Sequence, residues 1–147
     1  MKIAIIGFGK MGQMIEKIAL DRGHEKVVVF DPALENPLLA KNLKEIDVAI
    51  EFTTPESAPG NYLVCIEAGV PVVSGTTGWL HRWNEITEAV TLRNTGFFYA
   101  SNFSLGVNLF HKLNTDLAKL MAKHGSYSPH IEEIHHTQKY DAPSGTA

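Results

Sequence analysis

The chain has 147 residues, 44% hydrophobic and 20% charged, with 12 Gly and 7 Pro, the composition of a water-soluble globular domain. A chain of this length buries roughly two thirds of its unfolded surface, so it needs neither disulfides nor a structural metal. Its 13 Lys and Arg against 16 Asp and Glu leave a net charge of -3, without the basic field that gathers nucleic acid or an anionic membrane.

No apolar run approaches the roughly 20 residues that span a bilayer. The apolar start at residues 2–12 has no signal-peptide cleavage site. The expected compartment is therefore the cytoplasm, with neither nucleic acid nor membrane as partner. The single cysteine, Cys65, lies in the apolar run 62–66 and reads as a buried core thiol.

Residues 2–6 form a short apolar run without alternation, as expected of a strand covered on both faces in a parallel sheet. A glycine turn leads into a helix over 11–22, with Met14, Ile15, Ile18 and Ala19 at helical spacing and Gly23 as its stop. The alternation continues with a strand at 26–30, one helical turn near 38–42, and a strand at 47–53. A helix follows over 59–68, with Pro59 in its first turn. A strand at 71–74, an amphipathic helix over 80–93 and a strand at 96–100 complete the series. Such alternation predicts an α/β fold, a doubly wound parallel sheet over residues 1–104. From 105 to 123 runs the longest helical segment, then a strand-like stretch at 130–136 and a polar, turn-rich tail. Residues 105–147 thus read as the beginning of a second domain.

Gly7-Phe8-Gly9-Lys10-Met11-Gly12 matches G-x-G-x-x-G, between a buried strand and a helix, with Asp31 at the end of the next strand. In that setting the motif binds a dinucleotide. Gly7 makes the tight turn, Gly9 lets the backbone approach the pyrophosphate, and Gly12 allows close packing of helix on strand. The helix N-terminus offers N–H groups to the phosphates. Asp31 would accept the adenosine ribose hydroxyls and repel a 2′-phosphate, which favours NADH over NADPH, although Lys10 or Lys41 could admit the latter. A turn cap is the other reading of Asp31.

Thr53-Thr54-Pro55 and Gly75-Thr76-Thr77-Gly78 lie at the carboxyl ends of later strands, where open α/β sheets place ligands. They suit the nicotinamide side of a dinucleotide and equally suit plain connectors. Ala100-Ser101-Asn102-Phe103 holds the same position after the last strand. The densest polar cluster runs from Glu132 to Thr146. Adjacent His135 and His136 would point to opposite faces of a strand, and a third ligand at usual spacing is lacking, so no metal is expected. A histidine titrating near neutrality can move a proton, and Lys139 supplies a cation or an acid. Ser144, Gly145 and Thr146 read as a helix start able to hold a carboxylate.

Glu133-Ile134-His135-His136, followed by Lys139-x-Asp141-Ala142-Pro143-Ser144-Gly145-Thr146-Ala147, resembles the signature of the dihydrodipicolinate reductase family, also called 4-hydroxy-tetrahydrodipicolinate reductases. The resemblance spans the chain. The glycine fingerprint, Glu51-Phe52-Thr53-x-Pro55-Glu56, Gly75-Thr76-Thr77-Gly78 and Ser101-Asn102-Phe103-Ser104-x-Gly106-Val107-Asn108 stand in the family's order. It implies reduction of a cyclic unsaturated dicarboxylate in diaminopimelate and lysine biosynthesis, with NADH or NADPH as hydride donor.

By position, the resemblance makes His135 the catalytic proton donor or acceptor and Lys139 a second proton donor. His136, Gly145 and Thr146 become contacts to the substrate carboxylates. Gly75, Thr76 and Thr77, with Ala100, Ser101, Asn102 and Phe103, become further cofactor loops beside Gly7 to Gly12. Lys10 stands where the family carries a basic residue in a longer glycine loop. The resemblance also implies an α+β substrate domain that continues past Gly145-Thr146 and builds a homotetramer. A chain ending at Ala147 is accordingly expected to hold only the first part of that domain, an incomplete carboxylate site and an uncovered apolar helix face. That end would limit its own activity and tetramer formation. The residues before Glu132 alone would equally fit a non-catalytic dinucleotide-binding module or another oxidoreductase of the same fold.

Overall fold

The computed structural model describes residues 1–34 and 36–134. The chain divides into two compact units, Met1–Ala100 and Ser101–Ala147.

The first unit is a five-stranded, wholly parallel sheet. Its strands are β1 (Lys2–Ile6), β2 (Lys26–Phe30), β3 (Val48–Glu51), β4 (Val72–Ser74) and β5 (Phe97–Tyr99), in the order β2-β1-β3-β4-β5. Three helices accompany them: α1 (Lys10–Asp21), α2 (Ala58–Glu67) and α3 (Trp83–Arg93). The doubly wound α/β architecture expected from the alternation is the one observed.

Side chains of successive strand residues point to opposite faces, and this divides the core in two. Ile3 and Ile5 of β1 face α1, where they pack with Ala19 and with the half-buried Ile15. Ala4 and Ile6 face the other way, with Ala49 of β3 and Val72 of β4, against Tyr62, Cys65 and Ile66 of α2 and Ile86 of α3. Trp79 anchors that second layer, with Tyr62, Phe97 and Tyr99 each meeting it edge to face at 4.9 to 5.6 Å between ring centroids. The two layers differ in depth. Of the α1 residues expected to face the core, Ala19 is buried and Ile15 partly so, whereas Met14 and Ile18 stay exposed.

The helix ends follow their residues. Gly23, at φ 70°, closes α1 while the Gly23 and His24 amides return to the Leu20 and Ala19 carbonyls. Pro59 occupies the first turn of α2, where its missing N–H breaks no helical bond. Some expectations shift. Residues 38–42 give a 3-10 turn at Ala40–Leu43, a second such turn precedes it at Pro32–Leu34, and 80–93 opens as a 3-10 turn at Leu80–Arg82 before α3 begins. Strand β3 stops at Glu51, short of 53, because the Thr53 amide turns to the Thr76 side chain.

In the described part of the second unit, α4 (Leu105–Met121) is capped by Ser104, whose hydroxyl accepts from the Val107 amide. Its Leu109, Phe110, Leu113, Leu117 and Leu120 are exposed. The strand expected at 130–136 is not formed over 130–134, which carry no regular structure; a strand requires a ladder partner, and none stands beside these residues among the described ones. Residues 135 and 136 lie outside the described residues. No helix of the described chain is long and apolar enough to cross a membrane.

Candidate functional site

The strand order reverses direction of growth between β1 and β3, and the carboxyl ends of those strands carry the loops of interest. An open α/β sheet places its ligand in the crevice at such a switch point. Here the crevice is a cavity of about 550 Å³, within the range of ligand sites.

One wall is the glycine loop. Gly7 sits at φ 90°, and a Cβ there would lie 2.2 Å from the Phe52 carbonyl oxygen. A Cβ on Gly12 would lie 2.1 Å from the Gly7 carbonyl oxygen, so only glycine lets α1 start this close to β1. Gly9 differs: a Cβ there would meet nothing within 4 Å. It lines the cavity, and its bare backbone faces open space. Gly9 is also the N-cap of α1, without a side-chain cap and without an acid in the first turn, so the helix presents uncapped N–H groups and its positive end. Among the glycine-loop residues, Gly7, Phe8 and Gly9 line the cavity, Gly12 shapes it from behind, and Lys10 and Met11 stand exposed on the first turn of α1 outside the lining.

Asp31, half-buried at the end of β2, also lines the cavity. Its Oδ2 accepts the Phe8 amide at 2.7 Å and its Oδ1 the Ala33 amide at 2.8 Å. The turn-capping geometry and the cavity-facing position therefore coexist in one side chain. Beside it, Pro32, Pro37 and Leu38 supply an apolar patch suited to a flat ring. Of these, Pro37 and Leu38 carry no motif in the sequence; the signal available was a proline-containing stretch directly after the acid.

Across the crevice, Thr53 and Thr54 line the cavity with Ser57 and Asn61, which the sequence reading also passed over. Thr53-Thr54-Pro55 and the Gly75 to Gly78 loop form one structure. The Thr53 amide donates to the Thr76 hydroxyl at 2.8 Å, and a Cβ on Gly75 would lie 2.1 Å from the Phe52 ring. Thr76 is buried and Thr77 exposed. Ala100 joins the same sheet edge, its amide donating to the Ser74 carbonyl at 3.2 Å.

Ser101, Asn102 and Phe103 belong to the second unit. There Asn102 accepts the Ser104 amide at 2.8 Å through its side chain and the Asn108 side chain at 3.1 Å through its carbonyl, an arrangement that shapes the entry to α4. His135, His136, Lys139, Gly145 and Thr146 lie outside the described residues. Among the described residues no group of three or more His, Cys, Asp or Glu side chains could hold a metal ion.

A parallel sheet with this order, a glycine loop tied to an acid on the neighbouring strand and an uncapped helix start at the switch point define a Rossmann-like doubly wound domain. The family described as dihydrodipicolinate reductase, N-terminus, matches residues 1–103, and that described as dihydrodipicolinate reductase, C-terminus, matches residues 106–147. The chain belongs to the dihydrodipicolinate reductase family. It is 50% identical over 147 residues to the 4-hydroxy-tetrahydrodipicolinate reductase of Christiangramia forsetii, covering all of this chain and 61% of that protein. To the enzyme of the same name from Archaeoglobus fulgidus it is 36% identical, covering all of this chain and 62% of the relative. Among solved structures it is similar to dipicolinate-bound dihydrodipicolinate reductase from Paenisporosarcina sp. TG-14, with a TM-score of 0.65, 30% identity and coverage of 99% of this chain and 62% of that one. The chain thus spans about three fifths of the length of these relatives.

Proposed function

We propose that this chain provides the cofactor half, and the start of the substrate half, of an NAD(P)H-dependent 4-hydroxy-tetrahydrodipicolinate reductase of diaminopimelate and lysine biosynthesis. The observation that carries the reading is the crevice at the β1/β3 switch point, where Gly9 faces open space and Asp31 stands beside the glycine loop. Family membership supplies the substrate class.

The residues divide the work. The α1 amides and Gly9 would hold the pyrophosphate, and Pro32, Pro37 and Leu38 would flank the adenine. Asp31 would accept from the ribose, each of its oxygens keeping a lone pair beyond its present backbone donor. That carboxylate favours NADH over NADPH, since a 2′-phosphate would meet a like charge. Gly75, Thr76 and Thr77, with Ala100, Ser101, Asn102 and Phe103, would border the nicotinamide half. When bound, the cofactor would supply a hydride to the conjugated imine that remains once the 4-hydroxyl has left as water. His135 and Lys139 would supply or shuttle the balancing proton, and His136, Gly145 and Thr146 would hold the substrate carboxylates, all within a domain that begins at residue 105. The complete protein is proposed to act in the cytoplasm as a homotetramer.

The test is to titrate the complete protein with NADH and NADPH and to follow oxidation of each with enzymatically generated substrate. Tight NADH binding with turnover supports the reading. Binding without turnover would favour a dinucleotide-binding module, and no binding of either nucleotide would sink the proposal.

A further inference from the structure

Beneath the two hydroxyl-rich loops lies a carboxylate for which the reaction as described has no use. Glu51, the last residue of β3, pairs in register with Ile6 of β1 and Ser74 of β4, and is 0% exposed. Its partners among the described residues are hydroxyls. Oε1 accepts from Thr53, and Oε2 accepts from Ser74 at 2.8 Å. A buried carboxylate is costly unless its lone pairs are filled, and an apolar side chain would fill the same space more cheaply. What the carboxylate adds is direction.

A hydroxyl has one hydrogen. Because Ser74 gives its own to Glu51, the Tyr62 hydroxyl, 2.7 Å away, must donate to Ser74, as does the Thr76 amide at 3.2 Å. Because Thr53 gives its own to Glu51, it accepts from Ser57 at 3.0 Å and from the Asn61 amide at 3.3 Å. The Tyr62, Ser57 and Asn61 side chains and the Thr76 amide therefore point inward, through Ser74 and Thr53, to one acceptor. The two branches end on the loops themselves, and the Thr53 amide, bonded to the Thr76 hydroxyl at 2.8 Å, joins them. The field of Glu51 reaches its neighbours: Tyr62 is held above the ordinary tyrosine value by burial first, with the Glu51 charge adding to it.

We propose that Glu51 is a positioning residue for the nicotinamide half of the dinucleotide, orienting Thr53 and Thr76 through one inward-directed hydrogen-bond network. This rests on the proposed dinucleotide-binding function. Adenosine recognition falls to Asp31 at the other side of the switch point and does not pass through the network. A glutamine at position 51 keeps the shape but puts an NH2 donor group where one of the two hydroxyls now donates, so that branch must reverse or break.

The experiment compares Glu51→Gln with the parent in the complete protein, measuring affinity for NADH and for AMP, which carries the adenosine half alone. The expected result is a loss of about tenfold or more in NADH affinity, with AMP affinity within about twofold of the parent and a retained cooperative unfolding transition. A merely structural role would move both ligands together or neither. Unchanged NADH affinity, or equal losses for NADH and AMP, would overturn the assignment while leaving the proposed function standing. A parent protein that bound no NADH would overturn both. Should Glu51→Gln not fold, Ser74→Ala, which removes the Thr76 branch and leaves Thr53 on Glu51, is read by the same comparison, and unchanged NADH affinity there would equally overturn the assignment.

Discussion

The Phe8 amide donates to the Asp31 carboxylate at 2.7 Å, so the acid at the end of β2 holds the glycine loop while facing the crevice. Under the proposed function, one residue would couple the shape of the glycine loop to the choice of nucleotide. Asp31→Asn keeps one carbonyl acceptor and removes the charge. It should lower NADH affinity by about tenfold, the scale of a charged hydrogen bond, and lower NADPH affinity less. Titration with both nucleotides checks this, and an unchanged NADH to NADPH ratio would sink the discriminating role.

A methyl at Gly12 would stand 2.1 Å from the Gly7 carbonyl oxygen, which is backbone and cannot rotate away. Gly12→Ala should therefore force α1 off β1, with a loss of about 1–3 kcal/mol in unfolding free energy, as for overpacking in a filled core, and weaker nucleotide binding. Gly9→Ala has free space and should unfold like the parent, yet lose affinity because its methyl enters the phosphate region. Denaturant melts paired with NADH titration separate the two glycines.

His135→Ala in the complete protein should reduce turnover by about a hundredfold to ten-thousandfold, the range for a positioned proton donor, with little change in NADH affinity. Lys139→Ala should behave in the same manner. Steady-state kinetics beside direct NADH titration test the pair; normal turnover in either variant would remove that residue from the chemistry.

Burial, reinforced by the Glu51 charge, pushes the Cys65 thiol from 9.0 up to about 12. An acid whose folded value is raised contributes stability in full below its unfolded value and loses it as pH rises through the folded one. The folded chain should therefore lose stability between 9.0 and about 12, and Cys65→Ala should lose less across the same window. Urea midpoints against pH measure the difference. In the folded protein the thiol should resist alkylation near neutral pH, and rapid reaction there would contradict the burial.

The alternation of apolar runs and helical spacing made the parallel sheet legible, because strands such as Lys2–Ile6, covered on both faces, must be apolar throughout. Gly7 and Gly12 were legible because a Cβ at either would strike backbone, and Gly9 and Asp31 because their spacing completes the fingerprint between strand and helix. Pro37, Leu38, Ser57 and Asn61 were not, since their position on the crevice comes from how two loops fold across the sheet and leaves no periodic trace. Glu51 was hidden for a related reason. Within an apolar strand it reads as an end residue, and only the pairing with Ser74 brings its partners together from 23 positions away.

The strand order β2-β1-β3-β4-β5 has a consequence for how the chain is made. The first two strands pair with each other, the third adds to the free side of the first, and the fourth and fifth each add to the strand before. No strand has to be inserted between two that are already paired. With residues emerging from the ribosome at roughly 5–20 per second, each new strand meets an edge already waiting. The sheet is complete at Tyr99, before any of α4 has been synthesised.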